Sequence, residues 1–120
     1  MILFLNTTIG IVAILHFYFL VLEMFLWTKP LGLRVFGRSL GQAKDSAVLA
    51  ANQGLYNGFL ASGLVWGLVH PNPEFGSQIK FFFLSSVVVA GIYGAYSVNR
   101  KILFIQALPA AIALVLLFVN

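Results

Sequence analysis

Four stretches of this chain, residues 5–27, 47–69, 79–98 and 102–119, are apolar over close to the length that a hydrocarbon core demands, about 20 helical residues for a ~30 Å core. This feature leaves few folds open. In lipid a backbone has to satisfy its own N–H and C=O groups, so stretches of this kind are expected to be membrane helices. Composition points the same way: 61% of the residues are hydrophobic and 8% charged, a balance far from that of a 120-residue globule in water. The reading is one all-α domain over residues 1–120, an integral membrane four-helix bundle whose first partner is the lipid bilayer. The first span is not read as a cleaved signal peptide, because it lacks a basic leading region and a small-residue cleavage site.

The charged residues sit in the joints. Lys29, Arg34, Arg38 and Lys44 fall in the first connection and Arg100 and Lys101 in the third, with only Lys80 in the second. Under the positive-inside rule this asymmetry places the first and third connections in the cytoplasm and both termini on the non-cytoplasmic side. Trp27 and Trp66 then suit the two aromatic belts. The net charge of +4 is therefore topogenic, and nucleic acid is not an expected partner. The chain has no cysteine, which excludes disulfides, thiolate metal sites and cysteine nucleophiles.

Against this apolar background the polar residues are informative. Counting inwards at 1.5 Å per residue, Glu23, Asn52, Tyr93 and Gln106 all lie roughly 8 Å inside the cytoplasmic boundary. Gln53, Tyr56, Asn57 and Tyr96 fall near the same level. His16 lies about 10 Å deeper than Glu23 and shares its helix face through the series His16, Leu20, Glu23, Trp27. Together these residues outline a polar pocket open to the cytoplasm, with Glu23 as its titrating group. A carboxylate at mid-helix costs about 2.5–3.5 kcal/mol on insertion, which the aliphatic and aromatic residues of the same span outweigh. Its charge state is left open, since a neutral Glu23 can donate a hydrogen bond to Asn52 or Gln53. An interhelical network that only fixes the helices is the alternative reading of the same residues. No metal is expected, because His16 and Glu23 stand too far apart along the axis, about 10 Å, to grip one ion. No cofactor motif is present.

Small residues mark the helix contacts. Ala50, Gly54, Gly58 and Ser62 form a stripe in the second span, and Ala90, Gly91, Gly94 and Ala95 offer close contacts in the third. In the fourth, Pro109 frees the carbonyl of Ile105. The first connection, "KPLGLRVFGRSLGQAK", lacks the ending of a phosphate-binding loop. Arg34 and Arg38, interleaved with Leu33, Val35, Phe36 and Leu40, suit a segment on the inner leaflet, and a plain solvated loop is the alternative. Asp45 and Ser46 are expected to cap the second span and Ser77 the third, with His70 and Glu74 solvated.

The segments "LHFYFLVLEMFLW", "AANQGLYNGFLASGLVWG", "AGIYGAYS" and "QALPAAIAL" together resemble a family of small four-span bacterial membrane proteins known only as domain of unknown function 1304. The likeness covers nearly the whole chain. It implies a four-helix protein of the bacterial inner membrane and no particular activity. The small multidrug transporters are similar in length and in their first-helix glutamate, but they lack this charge asymmetry. The four-helix glutathione- and eicosanoid-linked membrane enzymes share outward termini and a basic first connection, yet the arginine and carboxylate of their second helix have no counterpart here. Small-molecule or proton-coupled transport or binding by a homo-oligomer is the leading expectation. An enzyme acting on a lipophilic substrate through Tyr56 or Tyr93, and an accessory subunit docked by its glycine stripes, are the others.

Overall fold

The computed structural model describes residues 1–98 and 100–120, and these are all-helical, with no strand among them. Helix α1 covers Ile2–Met24, α2 Pro30–Phe36, α3 Leu40–Val69 and α4 Pro73–Ser97; a π-helical turn, Leu103–Ala107, runs directly into α5, Leu108–Val119. Asn99, in the third connection, lies outside the described residues. Two of these helices, α1 and α4, are long and apolar enough to cross a membrane; Leu103–Val119 is apolar but shorter. Although α3 is 30 residues long, Asn52, Gln53 and Asn57 dilute its hydropathy.

Local chemistry sets the boundaries, and twice it moves a cap. Ser39, not Asp45 or Ser46, begins α3: its Oγ accepts from the Gln42 N–H at 3.2 Å while Gln42 Oε1 accepts from the Ser39 N–H at 3.1 Å, a reciprocal capping box. Asp45 and Ser46 therefore lie inside the helix. At α4 the cap is Asn72 rather than Ser77, its Oδ1 accepting from the N–H groups of Glu74 and Phe75 at 2.9 and 3.1 Å. Pro73 follows at the first helical position, where its missing N–H costs nothing. Lys80, expected in the connection, is thereby drawn into α4. Helix α2 starts on Pro30 and stops at Gly37, whose φ of 63° is open to glycine at little cost. Ahead of Pro109 the helix widens so that the Leu108 N–H reaches back to the Leu103 carbonyl, a π turn beside the residue that cannot donate.

The chain divides into two compact units, Met1–Ala13 with Leu60–Asn120, and Ile14–Phe59. In the first, Leu5, Ile9, Val12, Leu64, Leu84, Val87, Ala110 and Ala113 form a wholly apolar core. Gly91 lies against the backbone of Ala107 and Gly63 against the Phe83 ring, so the helices of this unit meet where side chains are absent. Within the same unit the buried Lys80 donates to Asn6 Oδ1 at 3.2 Å, its stem packed on Gly67. In the second unit Trp27, Ala43 and Ala50 form a small core, flanked by Leu33, Phe36 and Ala47. Outward-facing positions remain strongly apolar: Ile14 and Phe118 are 70% and 71% exposed.

Candidate functional site

The site is built where the second half of α1 meets the middle of α3, inside the unit Ile14–Phe59. Two glycines allow the approach. A Cβ at Gly54 would lie 2.8 Å from Met24 Cγ, 3.0 Å from Glu23 Cβ and 3.2 Å from the Leu20 carbonyl oxygen, and one at Gly58 would lie 2.6 Å from Leu20 Cδ1. A side chain at Gly54 would push the helices apart, whereas one at Gly58 would first have to displace the end of Leu20. With them close, the Asn57 amide donates from Nδ2 to Glu23 Oε1 at 2.5 Å. Asn57 is buried and Glu23 half-buried. An amide donor is satisfied equally by an ionised carboxylate or by the carbonyl oxygen of a neutral acid, so the contact holds the carboxyl in place in either form.

The contacts run antiparallel, with Met24 against Gly54 and Leu20 against Gly58. This register explains why the partner of Glu23 is Asn57 rather than Asn52 or Gln53. Helix α1 stops at Met24 instead of continuing to Trp27, so the end of α1 faces Gly54 and the first turns of α3 extend past it. Asn52 and Gln53 are both exposed, and Asn52 Nδ2 donates to the Tyr56 hydroxyl at 3.1 Å along the same helix. Tyr56 is half-exposed and stands near Phe59, with 6.2 Å between ring centroids. His16 is fully buried, two turns before Glu23, and lies edge-on to Phe19 at 5.8 Å. Between them on the same face, Leu20 occupies the space beside Gly58.

Tyr93 and Gln106 belong to the other unit, where Tyr93 is exposed and Gln106 half-buried. Of the packing residues, Gly54 and Gly58 are buried in α1–α3 contacts and Gly91 against Ala107, Gly94 is half-buried against Ile102, and Ser62 is exposed. Four residues of α-helix turn through more than a full circle, so a strict i+4 series drifts round the helix; Ala61, seven residues after Gly54, is the buried position instead. No group of three or more His, Asp or Glu side chains able to hold a metal occurs among the described residues.

Below the carboxyl, a cluster that the sequence did not announce closes the end of the unit. Trp27 Nε1 donates to Ser46 Oγ at 3.1 Å, and that hydroxyl donates to the Gln42 carbonyl at 2.8 Å. The Phe36 ring lies 4.8 Å from the indole and the Arg38 guanidinium 4.9 Å from it. The indole thus ties α2 and the start of α3 together through a hydrogen bond, ring packing and a cation–π contact.

A family model described as a protein of unknown function (DUF1304) matches residues 10–118 of the chain. An uncharacterized protein, YpaA, from Lactococcus lactis subsp. lactis (strain IL1403) is 30% identical over 107 residues, covering 88% of each chain. No solved structure matches.

Proposed function

The chain belongs to the DUF1304 family; from its apolar helices and the contact between Glu23 and Asn57 we propose a four-span inner-membrane protein in which that pair is a cytoplasm-facing site for proton-coupled binding or transport of a small solute. Helices α1, α3 and α4 and the run from the π turn through α5 would be the spans, with both termini on the non-cytoplasmic side. The outward apolar side chains support this placement. So does the gathering of Lys29, Arg34, Arg38, Lys44, Arg100 and Lys101 at the helix ends assigned to the cytoplasm, once Lys80 is counted within α4.

One observation carries the functional reading. The carboxyl of Glu23 is held by a single amide on Oε1, and among the described residues Oε2 has no side-chain partner. An unmatched carboxyl oxygen in lipid costs free energy, and this supports a role for Glu23 beyond joining the two helices. Here one oxygen fixes the orientation and the other is left for a proton, a cation or a solute donor. The amides and phenol exposed on α3, Asn52, Gln53 and Tyr56, would face a second copy of the chain, which makes the working form a homo-oligomer.

In vesicles holding a pH-sensitive dye, the reconstituted protein is expected to speed the collapse of an imposed pH gradient. Glu23→Gln should abolish that acceleration while keeping helicity and oligomer size. Equal flux through both proteins would end the proposal.

A further inference from the structure

Helix α2 has two unlike sides. Gly32 closes on the Leu26 carbonyl, while Leu33 and Phe36 pack with Trp27, Ala43, Ala47 and Ala50. This anchorage turns Leu31, Arg34 and Val35 outwards, and Leu31 and Val35 remain 37% and 46% exposed. Leu40, at the start of α3, is likewise exposed. Arg38 is exposed at the helix end with its guanidinium over the indole of Trp27. Within residues 28–46, Lys29, Arg34, Arg38 and Lys44 stand against one acid, Asp45.

Water alone does not reward such a face, because exposed leucine and valine between arginines lose free energy in it. The mixture matches an interfacial helix, whose apolar residues enter the acyl boundary while its cations meet phosphates. Position supports the same occupant. Met24 and Pro30 are joined by a linker that spans at most about 20 Å, so α2 is tethered where α1 leaves the hydrocarbon. We propose that this face, Leu31, Arg34 and Val35 with the adjoining Arg38, binds an anionic glycerophospholipid of the cytoplasmic leaflet, its phosphate between the two arginines and its upper acyl chain on Leu31 and Val35. This inference rests on the membrane placement proposed above and is independent of the role of Glu23.

The protein carries two tryptophans, so Trp66→Phe leaves Trp27 as the lone indole, beside the face in question. The full-length Trp66→Phe protein is reconstituted into bilayers containing either brominated phosphatidylglycerol among unbrominated phosphatidylcholine or the reverse, and quenching of Trp27 gives the local preference for one lipid over the other. The ratio cancels any change in indole yield caused by altering Arg38. Phosphatidylglycerol is expected to be favoured more than tenfold, with Arg34→Gln lowering the ratio roughly fivefold and Arg34→Gln/Arg38→Gln bringing it near unity. For a protein without these substitutions, salt at about 1 M should collapse the ratio too, which keeps the test independent of variant folding. Glu23→Gln should leave it unchanged. Equal quenching by the two lipids, or a preference indifferent to both arginines and salt, would overturn this proposal alone; no quenching by either lipid would overturn it together with the membrane placement.

Discussion

Each unit contains one ionisable side chain held by an asparagine from another helix beside a glycine, and the two arrangements are finished differently. Lys80 is buried, its stem on Gly67 and its ammonium on Asn6. Glu23 is half-buried, its Cβ against Gly54 and one oxygen on Asn57, with the other oxygen unclaimed by any described side chain. The same construction thus yields a closed contact in one unit and an open one in the other. Taken over the whole side chain Lys80 is the more covered, while both hydrogen bonds are only partly buried. An ammonium that loses its acceptor leaves a charge beside apolar packing, whereas a carboxyl with one oxygen not taken by a described side chain can exchange partners.

Removing the asparagines gives the largest expected difference. Asn6→Leu should lower unfolding stability in detergent by about 3 kcal/mol, because it strands a buried cation. Adding Lys80→Met to that variant should recover the loss to within about 1 kcal/mol, since an apolar pair of similar volume needs no partner. Unfolding followed by circular dichroism reports both, and failure of the rescue would show that Lys80 matters for more than fastening.

Asn57→Leu should cost less, about 1 kcal/mol, the loss of one hydrogen bond. If Asn57→Leu proved as damaging as Asn6→Leu, the distinction between open and closed contacts would fail.

Much of this architecture is legible in the residues, and the misses have physical causes. The helical segments follow from apolar length, and both reassigned caps carry readable signals: Ser39 three before Gln42, and Asn72 directly before Pro73. The long apolar stretches beginning at residues 47 and 79 lie several positions after the true helix starts, Leu40 and Pro73, and so point to later caps. The partner of Glu23 is less legible. Asn52, Gln53 and Asn57 are equally good donors in sequence, and choosing among them requires knowing that α1 ends at Met24. Nothing local in "EMFLW" stops a helix there. The stop coincides with packing between elements, Gly32 of α2 on the Leu26 carbonyl and Trp27 on Ser46 and Phe36, which no run of neighbouring residues displays. Lys80 was legible as a charge but not as a buried one, because Asn6, its partner, lies 74 residues away.

The smallest expected effect sharpens the comparison most. Glu23→Gln keeps an oxygen where Asn57 Nδ2 donates, and it exchanges only the other oxygen for an amide, so stability should change by less than about 0.5 kcal/mol. Lys80 allows no such exchange, since a shorter side chain cannot reach Asn6 without leaving a gap in a packed interior. Thermal unfolding of Glu23→Gln beside the parent chain measures this directly. A near-zero shift combined with lost proton flux would mean that the fold does not need the acid and the activity does. A loss above about 2 kcal/mol would instead make Glu23 a fastening of the same kind as Lys80, and the free oxygen would lose its claim to be a site.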